Sequence, residues 1–258
     1  MALIKDNKYI NDIITTTKKY YKDTFNENVD NIQIYASNNI PKDIKLFSNN
    51  IETPNDLNKL YGGYIEPNIK SSIPIILIKY SAFSENGAPF AGTILHELTH
   101  ASDFEQFNLE YCSGNWLYLR KHKYYSALCR WSEYHAKIVE IVHMRMLTSI
   151  LYPDKYVYDL EFIRDEMIYY QLHRYNNEIA KLIDDNDATL DTIFQYCGRL
   201  YVCKTYDNQL NIKDIIPKQV YEVFPDIISL YNWLEPLQVY SDISTRLAEL
   251  TSLLRNFI

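Results

Sequence analysis

The sequence predicts an α+β fold, in which an N-terminal lobe combines a small mixed sheet with helices and a C-terminal lobe is entirely helical. Two short segments have the apolar patterns of strands, since residues 31–37 alternate in polarity and residues 75–80 form a continuous apolar run. From about residue 115 onward the chain is rich in Leu, Ile, Tyr, Glu and Lys and poor in glycine, which is typical of helices. We therefore expect residues 1–110 to form the α+β lobe and residues 111–258 the helical lobe of one compact domain.

The elements of the N-terminal lobe are predicted in order from periodicity and turn residues. Residues 6–25 carry isoleucines at helical spacing and are expected to form a helix that precedes the first strand. Asparagine and proline residues within 38–56 indicate turns, and a Gly-Gly segment then leads to the second strand. Pro89 has a suitable first-turn position for a helix over residues 89–107.

The C-terminal lobe is predicted to consist of helices interrupted by prolines. Apolar periodicity places these helices near residues 115–150, 156–184, 187–204 and 240–257. Because proline lacks the backbone N–H that a helix interior needs and restricts the residue before it, helices are expected to end near prolines. The boundaries are expected at Pro153, Pro217, Pro225 and Pro236.

Composition and charge narrow the classes of partner. The chain has 258 residues, with 26 Lys plus Arg against 33 Asp plus Glu, and its net charge of -7 repels a phosphate backbone. The N-terminus lacks the apolar core of a secretory signal, and no segment approaches the roughly 18 apolar residues that cross a bilayer. We expect a soluble cytoplasmic protein that binds neither nucleic acid nor membrane, and its oligomeric state is open.

The cysteines lack the C-x-x-C spacing of a metal or redox site, and we expect them to be reduced, buried thiols. A disulfide between Cys197 and Cys203 is the alternative, and it would require the backbone there to bend away from a regular helix. The four cysteines are Cys112, Cys129, Cys197 and Cys203.

The stretch GTILHELTHASDF, residues 92–104, places His96, Glu97 and His100 in the order H-E-x-x-H. Each residue of an α-helix advances the azimuth by about 100°, so these three side chains face the same side. Two imidazoles one turn apart can provide two ligands of a tetrahedral Zn²⁺ ion, while the carboxylate between them lies beside the metal. A glutamate in that place can take a proton from a metal-activated water and pass it to a leaving amine.

Two alternatives accompany this interpretation of the motif. Composition alone would produce H-E-x-x-H in roughly one such sequence in a hundred, and His96 and His100 would then be hydrogen-bonded histidines of a buried helix. Asp103 lies on the same helix face, and two roles are open for it: a partner that orients an imidazole, or a charge that faces solvent.

A hydrolytic zinc site needs a third protein ligand and an open fourth position. The segment RWSEYHAKIVEIVHM, residues 130–144, is the richest source of ligands downstream of the motif. Glu133, Glu140 and His143 lie on related faces of one predicted helix. Glu133 follows His100 by 33 residues, which is enough chain for this helix to turn back towards the first. The spacing leaves all three candidates open.

Two short pieces of the chain resemble known zinc peptidases. HELTHASD is similar to the H-E-L-T-H-A pattern of thermolysin-like enzymes, and SEYHAKIVE resembles the E-x-x-A signature of the ImmA/IrrE group. The chain therefore looks like a zincin of the gluzincin branch, in which a glutamate on the next helix completes the metal site. The resemblance implies a zincin-like fold, with His96, His100 and Glu133 as zinc ligands and Glu97 as the general base.

The same resemblance implies two further features of the site. Zincins often stabilise the oxyanion of the tetrahedral intermediate with a downstream His or Tyr, and His173 is our choice here, with Tyr134 and His135 as alternatives. The strand at 75–80 would be the edge strand that pairs with an extended peptide.

The leading hypothesis from the sequence is a zinc-dependent metallopeptidase that hydrolyses a peptide or protein substrate, with Glu97 as the general base. The alternative is a non-catalytic binding or regulatory protein that keeps the zincin scaffold, of a kind carried by mobile elements.

Overall fold

A computed structural model gives the fold and describes residues 3–4, 7–48, 61–80, 87–154, 170–184 and 189–255. The chain forms two compact units, which are Met1–His122 with Val142–Val157, and Lys123–Ile141 with Tyr158–Ile258. In the described residues the first unit contains a mixed sheet and helices, whereas the second contains helices and no strand. The predicted α+β class is therefore confirmed.

The sheet of the first unit has four strands within the described chain: β1 (Leu3–Ile4), β2 (Gln33–Ser37), β3 (Gly62–Ile65) and β4 (Ile75–Lys79). Their order is β1-β2-β4-β3, with β2 and β4 parallel and the outer strands antiparallel to their neighbours. Both predicted strands are confirmed as β2 and β4. The strand β3, within the Gly-Gly segment, was missed.

The prediction that residues 75–80 form the edge strand is wrong, because β4 pairs with β2 on one side and β3 on the other. Ile75, Ile76, Leu77 and Ile78 are at most 1% exposed, so both faces of β4 are covered. A continuous apolar run is the pattern of a strand buried on both faces, which is a central strand. Within the described residues, the strand at this edge of the sheet is β3.

The first two helices have clear N-terminal caps. Helix α1 (Lys8–Phe25) begins after Asn7, whose side chain accepts a hydrogen bond from the backbone N–H of Ile10, and the predicted first helix is confirmed. Helix α2 (Ile40–Phe47) lies where we predicted turns, so that prediction is wrong for this stretch. The residues 49–56 of the same prediction lie outside those described.

The signals interpreted as turns are those of a helix start. Asn39 caps α2 by accepting from the backbone N–H of Lys42, and a proline occupies the first turn, where its missing N–H costs no helical hydrogen bond. Ile40 and the half-buried Ile44 and Phe47 pack on a core that includes Ile65 of β3 and two residues of β4. Burial of this apolar face stabilises the helix.

Helix α3 (Gly87–Cys112) carries the motif and confirms the helix predicted at 89–107, with extensions at both ends. It packs against α1, β3 and β4. The single helix predicted at 115–150 is two, α4 (Trp116–Leu119) and α5 (Tyr125–Leu151), because the backbone turns at Arg120–Tyr124. No helix of the described residues is long and apolar enough to cross a membrane.

The next described segment after α5 is a π-helical turn (Tyr170–Arg174), which leads into α6 (Tyr175–Asp184). The chain continues with α7 (Leu190–Tyr206), α8 (Ile212–Ile215), α9 (Lys218–Val223), α10 (Ile227–Leu234), α11 (Tyr240–Ser244) and α12 (Leu247–Leu254). The helix predicted at 187–204 is confirmed as α7, and the one predicted at 240–257 is two. Residues 156–169 of the helix predicted at 156–184 lie outside those described. All four proline boundaries fall between helices, as predicted.

The second unit packs α7 closely against α5. A Cβ at Gly198 of α7 would lie 2.7 Å from the carbonyl oxygen of Tyr134, so the two helices meet at a residue without a side chain. Trp131, also on α5, is fully buried and donates its indole N–H to the carbonyl oxygen of Leu237 at 3.1 Å. The cysteines are free thiols, and the alternative disulfide between Cys197 and Cys203 is not formed.

Candidate metal centre

The H-E-x-x-H motif lies near the middle of α3, where its three polar side chains are buried. His96, Glu97 and His100 are 8%, 7% and 8% exposed. Leu95 and Leu98, on the other side of the helix, are fully buried and anchor it in the core. The packing of α3 therefore fixes the backbone from which the three polar groups project.

The two imidazoles face each other as helical spacing predicts. Their Nε2 atoms are 3.0 Å apart, and the ring planes are nearly perpendicular, at 84°. Without an ion this distance is a hydrogen bond in which one ring donates and the other accepts. The same arrangement directs two ligand nitrogens to one point in space.

Glu133 of α5 completes a group of three ligand residues. One ligand atom each from His96, His100 and Glu133 lies within 4.8 Å of the other two. Across the part of the chain that the structure describes, this is the one group of three His, Cys, Asp or Glu residues with that property. The structure thus brings together the three residues that the resemblance implies as metal ligands.

The carboxylate of Glu133 is held by a residue that we did not predict. The side-chain amide of Gln195, on α7, donates to Oε2 of Glu133 at 2.7 Å. This hydrogen bond restrains the rotation of the carboxylate. No sequence signal identifies Gln195, because the contact depends on the packing of α7 on α5.

The two rival third ligands have other partners. Glu140 forms an ion pair with the buried Lys137, whose pKa is lowered by desolvation and raised in part by the charge of Glu140. His143 bonds through Nδ1 to the hydroxyl of Tyr20 at 2.9 Å, and desolvation lowers the pKa of its imidazole. Neither residue belongs to a group of three ligand residues in the described chain.

Asp103 is buried, with 1% exposure, so the interpretation as a solvent-facing charge is wrong. Its negative charge contributes to raising the pKa of Tyr21, a shift caused mainly by desolvation of that phenol. The role of Asp103 as a partner that orients an imidazole stays a prediction.

The predicted oxyanion stabiliser His173 lies on the π-helical turn and is exposed. Of the alternatives, Tyr134 is buried and its hydroxyl accepts from the amide of Gln238 at 2.9 Å. His135 stacks on Trp131, with the ring centroids 4.9 Å apart. None of these three belongs to the group of ligand residues, and the oxyanion role of His173 stays a prediction.

The edge strand β3 passes directly beside the general base that the motif predicts. A Cβ at Gly62 would lie 2.6 Å from Oε1 and 3.0 Å from Cγ of Glu97. It would also lie 2.7 Å from the methyl carbon of Thr93, one turn earlier on α3. The glycine pair that leads into this strand was visible in the sequence, but its contact with Glu97 was not.

The donor set fits a zinc ion. Two imidazoles and one carboxylate are ligands of catalytic zinc sites, in which a fourth position stays open. Nitrogens about 2.0–2.1 Å from a tetrahedral ion lie roughly 3.3 Å apart. The Nε2 atoms of His96 and His100, at 3.0 Å, are already near that separation.

No protein-family model, no curated protein and no solved structure matches this chain. The resemblance to zincins therefore rests on the two short sequence pieces, and the function has to be argued from the geometry of the site.

Proposed function

We propose that this protein is a zinc-dependent metallopeptidase, with His96, His100 and Glu133 as the zinc ligands and Glu97 as the general base. The observation that carries the proposal is the approach of Glu133 to the two imidazoles from a different helix. The motif alone supplies two ligand residues, and Glu133 is the glutamate that a gluzincin-like site would use as the third.

The chemistry of the proposed site divides between the ion and the chain. When bound, zinc would lower the pKa of a coordinated water towards about 7 and polarise the substrate carbonyl. Glu97 would accept the proton of the water and deliver it to the nitrogen of the leaving amine. Glu97 is buried, and the low local dielectric would strengthen a hydrogen bond from its carboxylate to the reacting water.

The strand β3 supports an extended peptide as the substrate. Within the described residues β3 pairs with β4, and a substrate peptide would pair with the opposite edge of β3. A peptide that adds to this edge would run beside Gly62, which lies against the carboxylate of Glu97. This arrangement would bring a backbone amide close to the general base.

The proposal is tested with zinc-loaded protein and a quenched-fluorescent peptide library. Wild-type protein is expected to cleave members of the library, and Glu97→Gln is expected to keep its zinc while its rate falls at least about 100-fold, since the general base is lost. Glu105→Gln, on the same helix, is the matched control and should cleave at the wild-type rate. Wild-type protein that carries zinc and cleaves no member of the library would contradict the enzyme and favour the non-catalytic alternative.

A further inference from the structure

We propose that Gly62 is a positioning residue for Glu97, because the missing side chain at residue 62 leaves the space that the carboxylate occupies between strand β3 and helix α3. The inference rests on the proposed function, in which Glu97 is the general base. It goes beyond that function by assigning a role to the strand that faces the motif helix.

Backbone conformation does not explain the glycine. Among the described glycines only Gly114 has a positive φ, so Gly62 has a backbone that other residues adopt without strain. What excludes a side chain is space, since a Cβ would lie 2.6 Å from Oε1 of Glu97. Nonbonded carbon and oxygen atoms do not approach this closely, so one of the two groups must move.

The strand cannot readily move away. Gly62 pairs with the fully buried Ile78 of the central strand β4, and the backbone N–H of Lys79 donates to the carbonyl oxygen of Tyr61 at 2.7 Å. Displacement of β3 would disturb this antiparallel pairing. The carboxylate of Glu97 is at the end of a flexible side chain, so it is the group that a methyl at residue 62 displaces.

Thr93 forms the second wall of the same space. Its hydroxyl donates to the carbonyl oxygen of Pro89 at 3.0 Å, which fixes the rotamer and directs the methyl group towards Gly62. Substitution of Thr93 by serine removes this methyl and keeps the hydroxyl. The two contacts of Gly62 can therefore be separated by experiment.

Gly63 is a matched control in the same strand. No atom lies within 4 Å of a Cβ at Gly63, because successive residues of a strand point to opposite faces. Alanine at residue 62 and alanine at residue 63 change the composition and the β-propensity of β3 equally. They differ in the surroundings of the added methyl group, which would clash with Glu97 and Thr93 at residue 62 and would have no atom within 4 Å at residue 63.

The experiment measures the affinity of zinc-loaded protein for acetohydroxamic acid by calorimetry. This probe chelates zinc and passes its acidic proton to a neighbouring carboxylate, and it is too small to pair with β3. The variants are Gly62→Ala, Gly63→Ala, Glu97→Ala and the double variant of Gly62→Ala with Glu97→Ala. Each is also made with Thr93→Ser, so that a folding defect caused by the threonine methyl is relieved.

We expect Gly62→Ala to weaken probe binding by about tenfold or more at unchanged zinc content, since a hydrogen bond to a charged group is lost. Gly63→Ala should bind the probe as the wild type does. In the Glu97→Ala background, Gly62→Ala should cause no further loss, because the displaced group is absent.

The inference would be overturned if Gly62→Ala bound the probe with wild-type affinity. It would also be overturned if Gly62→Ala lowered the probe affinity equally in the wild-type and Glu97→Ala backgrounds. Both outcomes leave the zinc site intact and are distinct from failure of the proposed function. That failure would appear as wild-type protein that binds no zinc, or that carries zinc and cleaves no member of the peptide library.

Discussion

The side-chain nitrogen of Gln195 lies 2.7 Å from Oε2 of Glu133, although 62 residues separate the two in the chain. The glutamine therefore restrains the one proposed zinc ligand that is not on the motif helix. His96 and His100 are positioned by the spacing of one helix, whereas Glu133 depends on contacts made by other helices. The hydrogen bond with Gln195 is one such contact.

Gln195→Ala is predicted to lower zinc affinity about 10- to 100-fold, which is the usual effect of removing a partner that orients a ligand. The carboxylate of Glu133 would then rotate more freely and would lose more conformational entropy when the ion orders it, which weakens binding. Competition with a chromophoric chelator measures the affinity directly.

Gln238→Ala is the control for this variant, because Gln238 is also a half-buried glutamine that donates to a side chain of α5, the hydroxyl of Tyr134. Its zinc affinity should stay within about twofold of wild type, since it does not contact the proposed ligands. An equal loss of affinity in both variants would show a general effect of loosening α5 and contradict the specific role of Gln195.

Glu133→Gln is predicted to lower zinc affinity by more than about 100-fold, because the neutral amide replaces an anionic ligand. Glu140→Gln should keep wild-type zinc affinity but lower the free energy of unfolding by about 1.5–3 kcal/mol, since the buried Lys137 loses its charged partner. Chelator competition and urea unfolding measure the two quantities. Loss of zinc affinity in Glu140→Gln, with wild-type affinity in Glu133→Gln, would make Glu140 the third ligand.

The stability of the metal-free protein is predicted to depend on protonation of His143. Burial lowers the pKa of His143 below its ordinary value of 6.5 in the folded state. The unfolded chain therefore binds the proton more readily, and the contribution of His143 to stability is present above pH of about 6.5 and is lost as pH falls below it. His143→Gln should have a smaller loss of stability than wild type between about pH 7 and pH 5.

Urea unfolding at several pH values, in the presence of a chelator, tests this dependence. Identical slopes for wild type and His143→Gln would contradict the prediction.

The sequence predicted the parts of the fold that local patterns determine. Helices α1, α3 and α7 and strands β2 and β4 follow from periodicity, and the prolines of the C-terminal half fall between helices. Helix α2 was missed because Asn39 and the proline after it are common to turns and to helix starts, and only the core contacts of Ile40 distinguish them.

The candidate site was predictable where one helix builds it and unpredictable where tertiary packing does. The spacing of His96 and His100 on α3 determines their mutual geometry, which the structure reproduces. The spacing of the later residues left three candidates for the third ligand, and of these only Glu133 belongs to the group of three ligand residues found in the described chain. The contacts of Gln195 and Gly62 have no local signature, since each joins residues that are distant in sequence.

The metal content of freshly purified protein, measured by elemental mass spectrometry beside the double variant His96→Ala, His100→Ala, tests the central proposal most directly. We predict about one zinc per chain in wild type, its loss in that variant, and its retention in a control that replaces His122 and His173 with alanine. No stoichiometric metal in wild-type protein, even after zinc is supplied, would contradict the metal site and leave His96 and His100 as a hydrogen-bonded pair.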